Sequence, residues 1–180
     1  MSTPAWTPPQ MPAPEGIHQP HQEPGRLARH ASPVSLLVLT AIVSLGASGL
    51  LGHPKPHLTT QDGEARLSVE MPSIIRTGDF YETRFKVLAK QDIGELQIEV
   101  PASLWREVTV NSMLPAPESE TFDDGRFRFT FKSLDAGKEF VFKVASQLNP
   151  RLHGKLEGTV RVLDGERLLV ESDRSMRVLP

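Results

Sequence analysis

From Arg66 onward the apolar side chains of this chain recur at every second position, and that period restricts the folds open to it more than any other feature. Tyr81, Thr83, Phe85, Val87 and Ala89 alternate with Glu82, Arg84, Lys86 and Lys90, with Leu88 the one apolar residue on the polar side. Leu96, Ile98 and Val100 alternate with Gln97 and Glu99, and Phe127, Phe129 and Phe131 with Arg128, Thr130 and Lys132. Phe140, Phe142, Val144 and Leu148 share one face of a further run, and Leu156, Val160 and Val162 one face of another. Successive side chains of a strand point to opposite faces, so each run has one buried face and one wet face, as in antiparallel sheets.

The runs are Arg66–Met71, Phe80–Lys90, Glu95–Val100, Val108–Met113, Arg126–Lys132, Glu139–Gln147, Lys155–Leu163 and Arg167–Ser172, with Met176–Leu179 as an ending. Asp124-Gly125 and Asp164-Gly165 read as two-residue hairpin turns, and Pro72, Pro101, Pro115, Pro117 and Pro150 fall at run ends, where no central ladder bond is lost. Seven to nine short strands with no helix-length segment between them predict an all-β, immunoglobulin-like antiparallel β-sandwich over residues 65–180. All eight Phe lie between Phe80 and Phe142, which puts the core there, and the Ser103-Leu104-Trp105 patch reads as a short helical turn with Trp105 a plug of the core or sheet edge.

The first third is of another kind. Residues 1–31 hold seven Pro among Ser, Thr, Gln and His, a composition that cannot bury enough surface to order itself, so a disordered tail is expected. Val34 to Leu51 reads VSLLVLTAIVSLGASGLL within an uncharged stretch, so residues 32–52 are expected to form one transmembrane helix, with Pro33 in its first turn and Gly52 and Pro54 at its end. The competing reading is a cleaved signal peptide, because Ala47 and Gly49 make a small-x-small pattern. Arg26 and Arg29 before the helix against Lys55 after it favour a cytoplasmic N-terminus and an extracytoplasmic sandwich at a plasma (inner) membrane, with residues 53–64 as a stiff spacer. Thr40, Ser44, Ser48 and Gly52, four apart, form a small-residue stripe through which a weak homodimer or a partner's helix could associate.

The order of Val100-Pro101, Met113-Leu114-Pro115-Ala116-Pro117, Asp124-Gly125-Arg126-Phe127, Leu134-Asp135-Ala136-Gly137-Lys138-Glu139-Phe140 and Leu152-His153-Gly154 resembles the immunoglobulin-like repeat domains of bacterial surface and membrane-anchored proteins. The resemblance covers residues 65–180 and rests on turn and core positions. It implies an extracytoplasmic adhesion, scaffold or interaction module, and it carries no catalytic residues over to this chain.

The chemistry-bearing residues do not assemble into a reaction. With no Cys the chain has no disulfide framework, thiolate zinc site or cysteine nucleophile, and a formal net charge of −2 argues against a nucleic-acid partner. His53 and His57 with Asp62 resemble a metal ligand set, but the intervening prolines prevent one helical face from presenting both imidazoles. Asp123-Asp124 and Glu118 with Glu120 lack the calcium-loop order, and no Gly-x-Ser-x-Gly elbow is present. The expectation is therefore a membrane-anchored, extracytoplasmic protein-interaction or scaffold module with no catalysis and no cofactor, its partner another envelope or membrane protein. The alternative is a cell-wall or carbohydrate-binding accessory domain, for which Trp105 and Tyr81 are the available sugar platforms. The charged strand faces, Arg84 and Lys86 against Glu82 and Arg126 and Arg128 against Glu118 and Glu120, read as solubilising outer surfaces.

Overall fold

A computed structural model of the chain describes the backbone of residues 26–48 and 56–180, with the side chains of residues 33–48 and 56–180. The expected tail up to residue 25, Gly52 of the stripe, and His53 at the head of the spacer lie outside the described residues. Helix α1 spans Arg26–Ala47, so it takes in the last six residues of the expected tail and holds Pro33 inside it instead of in its first turn. Arg, Leu and Ala favour the helix on the N-terminal side and carry it through Pro33, which removes one backbone donor and crowds the preceding turn. Every described side chain from Pro33 to Ser48 is exposed, including Val34, Leu36, Leu37, Val38, Leu39, Ile42, Val43 and Leu45. Among the described residues no helix is long and apolar enough to cross a membrane. The part of α1 inside the expected span, residues 32–47, rises only about 24 Å, short of the roughly 30 Å hydrocarbon core.

The sandwich has eleven strands: β1 (Pro56–Asp62), β2 (Ala65–Pro72), β3 (Ile74–Arg76), β4 (Phe80–Ala89), β5 (Leu96–Pro101), β6 (Val108–Leu114), β7 (Ser119–Asp123), β8 (Arg126–Thr130), β9 (Glu139–Leu148), β10 (Gly154–Asp164) and β11 (Arg167–Leu179). They form one sheet in the order β1-β2-β4-β9-β6 and a second in the order β3-β11-β10-β5-β8-β7. All pairings are antiparallel except that of β3 with β11. The expected sandwich is thus met as two sheets, mainly antiparallel, with three more strands than the alternation shows. The expected spacer is corrected, because Pro56–Asp62 pairs with β2 from Pro56↔Pro72 to Asp62↔Arg66 and forms an edge strand. The two expected terminal runs are one strand, since Asp173, Arg174 and Ser175 keep register opposite Thr159, Gly158 and Glu157.

The core follows the alternation closely on β4, where Tyr81, Thr83, Phe85, Val87 and Ala89 are buried. Phe142 of β9 is fully buried at the centre of an aromatic cluster, with ring centroids 5.8 Å from Phe85, 5.5 Å from Phe129 and 4.9 Å from Phe131. β5 departs from expectation, because all six of its residues are buried, Gln97 and Glu99 included. It lies between β10 and β8, and Arg128 of β8 reaches across to cover Glu99 at 2.8 Å. The Trp105 patch is a series of hydrogen-bonded turns, with Leu104 N–H donating to Pro101 and Trp105 N–H to Ala102.

The two hairpin signatures resolve differently. Asp124-Gly125 joins β7 to β8 with both residues at positive φ, 46° and 71°, the paired left-handed conformation of a tight primed turn. In the other hairpin Asp164 pairs with Arg167, so the turn is Gly165-Glu166, one residue later than the sequence suggests. Asp164 is thereby freed to accept hydrogen bonds from the N–H groups of Glu95 (3.0 Å) and Gly94 (2.9 Å), which, Glu95 foremost, hold its carboxyl below the ordinary carboxylate value.

Candidate functional site

β6 ends one sheet and β7 ends the other, and only Pro115 to Glu118 separate them in sequence. Among the described residues each therefore has a hydrogen-bonded strand on one side and no strand on the other. Between them opens a cleft of about 450 Å³ lined by Trp105, by Val108, Val110 and Met113 of β6, by Glu120, Thr121 and Phe122 of β7, and by Phe127 and Phe129 of β8. A bulge in β6 between Val110 and Ser112 brings Met113 onto the side of the strand that Val108 and Val110 occupy. Without that extra residue Met113 would point away from the cleft.

Aromatic rings connect the core to this opening. Phe129 touches Phe142 inside, Trp105 lies 5.6 Å from Phe129 and 5.7 Å from Phe127, and Phe127 lies 4.8 Å from Phe122. Phe122 is 60% exposed, so the ladder ends in a ring that faces water. Such a surface offers apolar contact and strand pairing, the two components of extended-segment recognition at a sheet edge. Glu120 is the one ionisable residue of the lining.

A second depression, about 220 Å³, is polar and lined by Glu99, Asp123, Asp124, Arg126, Arg128 and Arg161. Its charges neutralise one another. Arg128 pairs with Glu99 (2.8 Å) and Glu166 (2.9 Å), Arg126 lies 3.8 Å from Glu99, and Arg161 pairs with Glu171 at 3.2 Å. The hydrogen bond to buried Glu99 raises the Arg128 pKa above its usual value. Arg126 and Arg128 thus meet Glu99, not Glu118 and Glu120, because the β5–β8 register sets Glu99 opposite Arg128 while Glu118 approaches Lys132 at 3.9 Å.

Of the stripe residues, Thr40 and Ser44 are exposed on α1, and Ser48 follows its end with its hydroxyl donated to the Leu45 carbonyl at 2.6 Å. Trp105 and Tyr81 are each only 8% exposed, so neither is a surface platform for a sugar. Asp62 lies between Lys90 (2.5 Å) and Arg66 (3.2 Å), and hydrogen bonding to Lys90 first, then Arg66, holds its carboxyl below the ordinary value. Among the described residues no three His, Cys, Asp or Glu side chains converge as a metal site would require. In the sequence Val108, Val110 and Met113 show only as members of a strand run, whereas Phe122, alone between Thr121 and Asp123, is a visible signal.

Fold and site together define a two-sheet β-sandwich with an aromatic cleft at its open edge. No protein-family model matches the chain, and no curated protein matches it. Among solved structures it is similar to a non-cellulosomal cohesin from the hyperthermophilic archaeon Archaeoglobus fulgidus, at 10% identity over 70% of this chain and 92% of that one, with a TM-score of 0.39. It is also similar to CaCohA2 from Clostridium acetobutylicum, at 14% identity over 71% and 91% of the two chains and a TM-score of 0.39. A chain from the complex of CaCohA2 with a variant of CaDoc0917 matches at 16% identity over 58% and 92%, again with a TM-score of 0.39.

Proposed function

We propose that this chain is a membrane-anchored, extracytoplasmic protein-interaction or scaffold module without catalysis, and that its sandwich takes an extended apolar segment of another envelope or membrane protein between β6 and β7. The observation that carries the reading is the cleft, where apolar side chains line the space between two strand edges that no other strand pairs among the described residues. An inserted strand would gain main-chain hydrogen bonds from either edge and bury its side chains on Phe122, Val110 and Met113. Anchoring is supported by α1, a helix with apolar residues on every side and all its described side chains exposed, a pattern that calls for an apolar surrounding. The uncharged sequence as far as Leu51 completes the span in this reading, with Arg26 and Arg29 setting the N-terminus in the cytoplasm of an inner membrane. The stripe of Thr40, Ser44, Ser48 and Gly52 supplies a contact for a second helix within the bilayer.

A photo-crosslinking amino acid at position 122, compared with one at position 171 on the outer face, tests the docking. Cross-links to a membrane protein from 122 alone, lost on Val110→Arg, are expected; equal yields from both positions would refute it. Carbonate extraction tests the anchor independently, since release of the chain into the soluble fraction would overturn it while leaving the docking result intact. Replacing Ser44 and Ser48 by Leu tests the stripe: insertion should persist and helix association should fall, and unchanged association would leave the helix a simple tether.

A further inference from the structure

Ser172 and Arg174 lie two residues apart on β11, on the side from which Val170, Met176 and Val178 enter the core. Ser172 is 2% exposed and Arg174 7%, and among the described residues neither the Ser172 hydroxyl nor the Arg174 Nε has a hydrogen-bond partner. No ion pair among the described residues reaches Arg174 either, although twelve others match a cation to a carboxylate. A buried polar N–H without a partner is costly, and a protein ordinarily offsets that cost by pairing. Here no described residue supplies a partner for Nε, although Arg174 sits on the buried face of β11.

We propose that Arg174 binds a carboxylate supplied from outside this chain. A cavity of about 400 Å³, lined by Lys155, Glu157, Gly158, Asp173, Arg174 and Ser175, gives such a group space. The charge of this lining selects the class of anion. Lys155 is matched by Glu157 at 2.5 Å, and Asp173 accepts a hydrogen bond from Thr159 at 2.6 Å, so the lining balances two cations against two carboxylates. A monoanion adds one negative charge to that balance, whereas a phosphate dianion adds two beside Glu157 and Asp173. A flat carboxylate also accepts from a guanidinium through both oxygens. Opposite Arg174 in the β10–β11 register stands Gly158, which contributes no side chain of its own to compete for that group. The site is separate from the β6–β7 cleft and does not depend on what docks there.

The test follows unfolding of the full chain while acetate replaces chloride at constant ionic strength. Acetate should raise Tm saturably in the native protein. Arg174→Met should weaken acetate binding roughly tenfold or more, the scale of one charge-assisted hydrogen bond, while being no less stable than the native chain in chloride. Where Arg174→Met does not fold, Arg174→Lys, which keeps the charge and loses the fork, should weaken acetate binding in the same direction. A blocked tripeptide whose only anion is a central Glu side chain distinguishes the source. Tighter binding than acetate assigns the site to a partner's acidic side chain, and weaker binding assigns it to a free small acid. An equal acetate response in the native chain and the Arg174 variants, or none in any of them, would overturn the proposal.

Discussion

Tyr81 is the only tyrosine in the chain, so its phenolate can be titrated without interference from another. It sits on β4 facing the core and is 8% exposed. Burial disfavours the phenolate and pushes the hydroxyl from its ordinary 10.0 up to about 12. In the unfolded chain the proton leaves near pH 10, while in the folded chain it is retained until about 12. Folded protein therefore binds more protons across that window, and stability, complete below pH 10, is lost as pH rises through it. The rise from 10.0 to about 12, at ~1.4 kcal/mol for each tenfold change in proton affinity, amounts to about 3 kcal/mol. Denaturant unfolding of the native protein and Tyr81→Phe at a series of pH values isolates the effect from lysines and arginines that titrate nearby. The stability difference between the two should be flat up to about pH 10 and then shift against the native protein by about 3 kcal/mol by pH 12. A phenolate absorbance that titrates near 10 in the folded state, or a difference that stays constant, would refute the assignment of Tyr81 to the core.

Phe129, 1% exposed and in contact with Trp105 and Phe142, should lose about 3–5 kcal/mol on replacement by Ala, and a loss below about 1 kcal/mol in denaturant unfolding would place its face in water. Gly158→Ala sets a Cβ 2.4 Å from the Pro101 ring and 2.9 Å from the Ser103 hydroxyl, so a Tm decrease equivalent to roughly 1–3 kcal/mol is expected, and an unchanged Tm would show that the 101–105 turns do not press on β10. Asp164 has a depressed folded pKa, so its contribution is present above its unfolded value near 3.8 and is lost as pH falls through the lower folded value. Asp164→Asn should accordingly be less stable than the native protein near neutral pH and converge with it in acid; a gap that persists in acid would assign the loss to shape instead of charge.

Periodicity made eight of the eleven strands legible, because a strand with one face on the core must place apolar groups at every second position. β4 shows this at each residue from Tyr81 to Ala89. β1 and β7 left no such trace. Every residue of β7 is exposed, and β1 is exposed but for one position, so no burial shapes their composition. β3 is three residues long, too short for any period to register. β5 misled in the opposite sense, since Gln97 and Glu99 look like a wet face and are buried between β10 and β8, where Arg128 lies across Glu99. The sequence by itself also determined that the chain begins with a polar, proline-rich stretch and an uncharged apolar run, since composition alone governs whether a segment can bury surface. The cleft was decided by tertiary structure. Its walls come from the terminal strands of two different sheets, its lining depends on one bulge that turns Met113, and its floor is a tryptophan carried on the turns after β5. The inward Arg174 was decided the same way. Its neighbours Asp173 and Ser175 make the segment read as a polar break between two strands, and only the continuous β10–β11 register, fixed by pairs on either side, sets Arg174 on the buried face of β11.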